Sequence, residues 1–352
     1  MKLEDLGFDR WFEDQLTGRL HPGQAIARVT AVDRGAFLIR DEQRELGAEL
    51  AGKFYFGVEA SGDLPCVGDW VVVELHNQGR SAIIHDLLPR RTFLRRKRAG
   101  KNVDFQMIAA NIDTAFIVQA CPFDFNLRRF DRYMVMANDG GIEPILLLTK
   151  IDLLSPAELE EMLAKVRQDR IPGRVLPISN TTGAGFEEFQ KLLLTGRTYG
   201  LLGSSGVGKT TIINRLLGRE AFETREVSGT GEGTHTTARR QLVLLDQGAM
   251  LVDTPGMREL GLLGAGDGLD LSFEDIRLLA ADCRYADCRH GQEPGCAVRA
   301  AVETGAVSEE RYRSYIKLRK ESEYHEMSYV DKRKKDRAFG RHIKSSLKIM
   351  KK

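Results

Sequence analysis

At 352 residues the chain has room for two or three domains, and its 42% hydrophobic and 29% charged content excludes a fibrous or disordered protein. No apolar run approaches the roughly 20 residues that span a bilayer. The acidic, amphipathic start "MKLEDLGFDRWFEDQL" lacks the basic and apolar segments of an export signal, so a cytoplasmic protein is expected. The net charge of +2 hides a local +8 between Lys317 and Lys352, which leaves −6 for the rest, and a second basic run, "RRTFLRRKRAGK" at 90–101, contains no acid.

In chain order, residues 1–16 read as a short amphipathic helix with Leu3, Leu6, Trp11, Phe12 and Leu16 on one side. From about 24 to 95 the pattern is β: "AIARVTAVDRGAFLIRD", "KFYFGVEA" and "GDWVVVELHNQGRSAIIHDLL" are β-branched or aromatic runs parted by turn residues. Five or so strands in this span predict a small barrel, an OB-fold first and an SH3-like barrel as the competitor. "TAFIVQA" (114–120) and "EPILLLTK" (143–150) are continuous apolar runs, as in strands covered on both faces. "NLRRFDRYMVMANDGG" between them is helical, "SPAELEEMLAKVRQDR" opens on a capping box at Ser155 and Glu158, and "VLPIS" and "GFEEFQKLLL" continue the alternation. The expected fold class is multidomain: an N-terminal helix and OB-type β-barrel over 1–104, an α/β P-loop domain with a parallel sheet over 105–265, and a helical metal-binding region with a basic tail over 266–352.

"GSSGVGKTT" fits the G-x-x-x-x-G-K-[ST] pattern, follows the strand-like "TYGLLG" and opens the helix "KTTIINRLLG". Glycines let backbone N–H groups turn inward around phosphates at the positive end of a helix. The candidate phosphate-binding set is Gly203, Ser204, Ser205, Gly206, Val207, Gly208, Lys209, Thr210 and Thr211, with Lys209 reaching the β and γ phosphates and the Thr210 hydroxyl ligating Mg²⁺. "AMLVDTPG" supplies Asp253, placed to hold Mg²⁺, and Gly256, whose N–H can meet the γ-phosphate. In the glycine-rich "SGTGEGTHTTARR", Thr236 or Thr237 can close over Mg²⁺ and the γ-phosphate as a switch. The Gln that often follows D-x-x-G is replaced by Met257, so slow intrinsic turnover is expected, with His235 the candidate for positioning water.

In "TKID" the Asp152 carboxylate can accept from N1–H and the exocyclic amine of guanine, a donor pair that adenine lacks. The Lys150 stem can lie over the purine, and Ser179 of "ISN" is a candidate backbone contact to the base oxygen. Thr149 stands where the usual motif has Asn, and losing that amide should weaken affinity more than guanine preference. The base reader thus precedes the phosphate loop. A parallel sheet can be cut and rejoined in this way without moving the loops at its edge, and here the order leads the D-x-x-G segment directly into the C-terminal region.

Five cysteines do not suit a disulfide framework. Cys283, Cys288, His290 and Cys296, spaced C-x4-C-x-H-x5-C, offer three thiolates and an imidazole, a full tetrahedral set for structural Zn²⁺ with no position left open for chemistry. Two basic runs flanking a nucleotide site point to a polyanionic partner, RNA being the obvious one.

Together these residues resemble the ribosome small-subunit-dependent GTPase A family (RsgA, also called YjeQ) over nearly the full length. "TKID", "GSSGVGKTT", "HTT", "DTPG" and the metal spacing carry the resemblance, and the permuted order makes it specific. The resemblance implies a circularly permuted GTPase that uses GTP/GDP, Mg²⁺ and one structural Zn²⁺. It also implies binding to the small ribosomal subunit and its rRNA late in assembly, stimulation by the subunit and release after hydrolysis. A catalytic His235 and rRNA contacts from the OB domain and C-terminal helix belong to the same picture. Thr149 and the poorly basic stretch Thr230 to Thr234 depart from the family pattern. No membrane partner is expected, and nothing demands a dimer. Two competing readings are an RNA-binding scaffold with incidental turnover, and an ATP-dependent P-loop enzyme, which would bind ATP and GTP equally.

Overall fold

The computed structural model describes residues 1–33, 35–58, 61–97, 105–169, 171–222, 240–253, 262 and 265–326. The expected N-terminal helix is split into a 3-10 turn at Glu4–Leu6 and helix α1 at Arg10–Asp14. Gly7 separates them with a φ of +87°, and a side chain there would come within 2.8 Å of Gly196 O. The apolar stripe still packs as one surface, with Leu6, Phe8 and Phe12 buried and the Phe8 ring 4.8 Å from that of Trp70.

Strands β1 (Gln24–Asp33), β2 (Ala36–Arg40), β3 (Glu45–Leu50), β4 (Trp70–His76) and β5 (Ser81–Leu87) follow the order β1-β2-β3-β5-β4 and close through β1–β4 pairing. This is the five-stranded Greek-key closure of an OB-fold and not an SH3-like barrel. Period-2 alternation sorts the side chains: Ala27, Val29, Val71 and Val73 fill the barrel, while Ile26, Trp70 and Val72 face the rest of the molecule. "KFYFG", expected as a strand, is helix α2 (Gly52–Gly57). The barrel leaves it no edge to pair with, since β3 lies between β2 and β5, and β4 between β1 and β5. Its Tyr55 and Phe56 are consequently 58% and 87% exposed.

A hairpin of β6 (Phe93–Lys97) and β7 (Phe105–Ala110) bridges the expected boundary at 104. Then come β8 (Thr114–Ala120), α3 (Leu127–Asp139), β9 (Glu143–Thr149), α4 (Pro156–Gln168), β10 (Val175–Pro177), α5 (Phe186–Gln190), β11 (Thr198–Leu202), α6 (Lys209–Leu217), β12 (Arg240–Leu244) and β13 (Met250–Asp253). These strands are ordered β10-β9-β8-β11-β13-β12, parallel except for β12. In β8 and β9, Ile117, Leu146 and Leu148 face the layer with Phe130, Met134 and Val166, whereas Phe116, Val118 and Leu147 face Phe189, Ile212 and Leu216. Both faces are covered, which is why these strands read as unbroken apolar runs. The Ser155–Glu158 capping box forms as expected at the start of α4.

The barrel and the α/β sheet form one continuous ladder, because β12 pairs with β13 on one side and with β1 on the other, Ala31 opposite Gln241. Helices α7 (Gly266–Ser272), α8 (Glu274–Ala280), α9 (Ala297–Glu303) and α10 (Glu309–Glu326) complete the C-terminal module. Among the described residues no helix is long and apolar enough to cross a membrane.

Arg28, on the outward face of β1, is buried where these parts meet. It donates to Leu6 O, to Gly68 O (3.2 Å) and to Asn111 O (3.1 Å), and lies over the Trp70 ring. Burial lowers its pKa to about 10. Arg28→Met keeps the volume but strands three carbonyls, so it is expected to cost about 2–5 kcal/mol in urea unfolding; a loss below about 1 kcal/mol would refute its role as the joint.

Candidate nucleotide site and metal centre

Because the sheet is parallel, the carboxyl ends of β8, β9, β10, β11 and β13 share one edge, where such sheets bind ligands. Gly203 follows β11 directly with a φ of +155°, and a Cβ there would lie 2.4 Å from Val118 O, so only glycine lets the chain turn into the phosphate loop. The loop ends at Gly208, the N-cap of α6 (φ 97°). Lys209 folds back over it, Nζ donating to Gly203 O (2.7 Å) and Ser204 O (2.6 Å). Thr210 and Thr211 occupy the first turn of α6. Asp253 ends β13 in register with Leu201 of β11 and is buried. Burial raises its pKa, and the nearby Lys209 charge opposes the rise. The candidate residues His235, Thr236, Thr237 and Gly256 lie outside the described residues, as do Met257 and the stretch Thr230 to Thr234.

Burial lowers the Lys209 pKa to about 8, against the pull of Asp253 and Asp124. A bound polyphosphate favours the charged form. Below pH 8 the lysine is already protonated, whereas above it binding must take up a proton. Affinity is therefore expected to fall above pH 8, by up to about tenfold per unit, with proton uptake approaching one per nucleotide. Titration calorimetry in buffers of different ionisation heat measures this; an uptake of zero at pH 9 would contradict it.

The half that carries "TKID" meets this loop directly. The Thr149 Oγ1 donates to Val207 O (2.7 Å), tying the end of β9 to the phosphate loop. Lys150 adopts a left-handed conformation (φ 59°), and Asp152 follows in a 3-10 turn. Ser179 Oγ donates to Asp152 Oδ1 (2.5 Å) and accepts from Thr181 N and Thr182 N, which fixes the carboxylate. The N–H of Ser179, expected as a contact to the base oxygen, is taken by Ala184 O (2.9 Å). From α6, Arg215 donates to Ser179 O (3.3 Å) and Asn180 O and stacks on Phe186. The two halves, reversed in sequence, thus form one pocket wall.

Three residues of α3 carry no motif signature, one at this wall and two toward α10. Arg129, in the first turn of α3, donates to Ser204 Oγ (2.7 Å) and pairs with Asp124. The same helix carries Arg132, which pairs with Glu321 of α10 (2.6 Å), and Asp131, which accepts from Ser314 Oγ (2.7 Å). Only the folded arrangement brings them together. Where described, the basic run 90–101 is partly neutralised: Arg90 pairs with buried Asp69, Arg91 with Asp9 and Arg95 with Asp139.

The four C-terminal ligand candidates converge as expected, their donor atoms all within 4.8 Å of one another. Cys283 Sγ lies 3.6 Å and Cys296 Sγ 3.5 Å from His290 Nδ1, and the two sulfurs are 3.9 Å apart. A tetrahedral zinc with bonds near 2.3 Å spaces its ligands by roughly 3.5–3.8 Å, so the set fits a closed structural site. Burial, and then Arg319, lower the His290 pKa and favour the neutral imidazole that ligates metal. Its backbone carbonyl accepts from the Tyr312 hydroxyl (2.5 Å).

Comparison with known proteins agrees with this architecture. A family model described as RsgA GTPase matches residues 87–263. A Lactiplantibacillus plantarum protein named small ribosomal subunit biogenesis GTPase RsgA 2 is 40% identical over 321 residues, 90% of each chain. A Xanthomonas oryzae protein named small ribosomal subunit biogenesis GTPase RsgA is 41% identical over 304 residues, 86% of this chain and 82% of its own. In fold, the chain is similar to YjeQ from Thermotoga maritima (TM-score 0.63, 24% identity, 84% of this chain and 97% of that one). It is similar also to YloQ, a circularly permuted GTPase (TM-score 0.61, 22% identity, 89% and 100%).

Proposed function

Because this chain belongs to the RsgA GTPase family and is a GTPase, we propose that it acts in biogenesis of the small ribosomal subunit. It binds the subunit and its rRNA as a cytoplasmic monomer, hydrolyses GTP faster on it, and leaves after hydrolysis. The observation that carries this reading is the single wall built from Thr149, Asp152 and Ser179 on one side and Val207, Lys209 and Asp253 on the other.

Asp152 accepts from the guanine N1–H and amine, with Lys150 over the ring. The phosphate loop N–H groups and Lys209 hold the β and γ phosphates. Thr210, Thr236 and Asp253 would hold Mg²⁺, which when bound neutralises charge on the β and γ oxygens. His235 orients water toward the γ-phosphorus; the water oxygen bonds to phosphorus as the bond to the bridging oxygen of GDP breaks, and inorganic phosphate leaves with the water's protons shared between it and solvent. Gly256 senses the γ-phosphate, and Thr237 lies in the same switch. Beyond the D-x-x-G segment, Leu262 N donates to Glu321 Oε1 (3.1 Å) and Ala265 N to Ser322 Oγ (3.0 Å), so the phosphate-sensing strand is tethered to α10. Glu321 also takes Arg132 of α3, whose first turn touches the phosphate loop. This double link supports coupling between nucleotide state and the C-terminal module, which we assign one Zn²⁺ on Cys283, Cys288, His290 and Cys296.

A groove of about 1010 Å³ beside the barrel is lined by Arg19, His21, Lys53 and His85 but also by Asp63 and Asp86, with Arg19 paired to Asp86, so the assignment of rRNA contact to the barrel rests on family membership and not on the charge of this groove. The test is GTP turnover with and without purified small subunits across several salt concentrations. Stimulation that declines steeply with salt is expected, because phosphate contacts release counterions; equal turnover with and without subunits would refute the assignment.

A further inference from the structure

Hydrolysis needs positive charge where the γ-phosphoryl group becomes more anionic, and the motifs supply one side chain for this, Lys209 of α6. A second cation reaches the same loop from the other face of the sheet. Helix α6 packs Ile212 and Leu216 on one face, whereas α3 packs Phe130 and Met134 on the opposite one. The start of α3 is clamped by Gln119, buried in β8, whose side chain accepts from Asn126 N (2.8 Å) and donates to Asn126 O (3.0 Å). The Asn126 side chain in turn caps the helix, accepting from Arg128 N and Arg129 N. From this fixed turn Arg129 Nη1 donates to Ser204 Oγ at 2.7 Å, while Lys209 Nζ holds Ser204 O at 2.6 Å. The two cations bracket one residue of the phosphate loop. Both contacts of the Arg129 side chain, to Ser204 and to Asp124, are made by Nη1. Among the described residues Nε and Nη2 have no partner, and 35% of the side chain is exposed, so one arm of the guanidinium fork stands open beside the loop. A guanidinium placed only to neutralise an acid commonly closes its fork on both carboxylate oxygens. This one meets Oδ1 alone, and the Asp124 Oδ2 is shielded from solvent with no partner.

We infer that Arg129 is a further catalytic residue of this GTPase: with Nη1 kept on Asp124 and Ser204, its open arm donates to the γ-phosphoryl oxygens during hydrolysis. The arm acts as the water oxygen bonds to phosphorus and the bond to the bridging oxygen of GDP breaks. Arg129 gives up no proton and forms no bond to phosphorus; it stabilises charge, and its mooring leaves little to reorganise as that charge appears. An arginine carried in the same chain serves here as one supplied by a partner does elsewhere. The inference rests on the placing of the γ-phosphate at the 203–211 loop.

The test compares Asp124→Asn with the double variant Asp124→Asn/Arg129→Ala in the full chain. It uses single-turnover hydrolysis and binding of GTP, GDP and GDP with aluminium fluoride, which mimics the transferring phosphoryl group. Asp124 is close enough for its charge to act on Lys209, and making it Asn in both proteins removes the charge that Arg129 neutralises. Loss of the arginine should then slow hydrolysis on the order of 100-fold, with GDP affinity changed less than about threefold. It should also abolish the gain in affinity that aluminium fluoride gives, because that gain reports contacts made to the transition state. Arg129→Gln, which keeps a donor for Ser204 without the charge, should be as slow, and unchanged GDP affinity shows that its site is folded. A double variant that hydrolyses GTP as fast as Asp124→Asn overturns the proposal, since the arginine would then serve only to neutralise the acid. A Lys209→Ala protein that keeps wild-type GTP affinity would instead remove the phosphate-loop reading.

Discussion

Removing metal from the C-terminal cluster is expected to unfold the 283–296 loop and loosen α8 to α10, leaving the α/β sheet folded. Three thiol groups and an imidazole packed within 4.8 Å gain little from one another without a cation between them. The loop's other ties are few: Arg284 N to Gly295 O (3.0 Å), Arg299 to Gly291 O (3.0 Å), Arg319 to Arg289 O and the Tyr312 hydroxyl to His290 O. Structural zinc contributes about 10–16 kcal/mol in small metal-dependent folds, comparable with the whole stability of a domain. Cys296 belongs to the same buried cluster as Phe273, Ile276 and Val298, so its release opens the core of the module. Metal analysis should find one zinc per chain. Chelation, or Cys288→Ser, should expose sites beyond residue 265 to protease while nucleotide binding persists. A chelated protein with unchanged melting and proteolysis would count against the metal.

The part of the fold governed by local chemistry was legible in the sequence. The capping box at Ser155, the apolar strands β8 and β9 and the glycine turn into α6 each follow from residue type and spacing, and each formed where expected. What escaped depends on partners distant in sequence. The aromatic run "KFYFG" has strand-like composition, yet a closed barrel offers it no edge, while the plainer Glu45–Leu50 pairs with β2 and β5. Arg28 reads as a solvent-facing residue of an alternating strand until the N-terminal segment and β13 cover that face. The basic run at 90–101 reads as a free patch, although Asp69, Asp9 and Asp139 neutralise three of its members. Motif spacing singled out the 203–211 loop, Asp152 and Asp253, which the fold brings to one edge of the sheet. Ser179 was picked for its backbone, whereas its hydroxyl is what holds Asp152. Arg129 had no signature, because its place at the loop comes only from lying against Ser204.

The reversed order of the two halves changes what the pocket is connected to. Thr149 and Arg215 join the halves across the wall as contacts, so the chain ends are released for other attachments. One end continues through β6 and β7 to the barrel, and β12 pairs with β1. The other leaves Asp253 for the segment tied to α10 at Leu262.

Asp152→Asn is expected to invert base preference, the second large effect. Guanine presents N1–H and an amine to this position, and two donors facing a carboxylate become a donor clash against the new amide. Xanthine carries a carbonyl where guanine has the amine, which the amide N–H can meet. A buried site built to hydrogen-bond one partner rejects the mismatched one by on the order of 10⁴-fold. The Ser179 hydroxyl can still donate to the asparagine oxygen as it does to Asp152 Oδ1, so the loop should keep its shape. The direct measurement is competition between GDP and XDP for wild type and Asp152→Asn. A wild type selective for GDP and a variant selective for XDP would place the purine against residue 152, in a wall shared by both halves of the chain. A variant that still selects GDP would mean that the carboxylate does not touch the base.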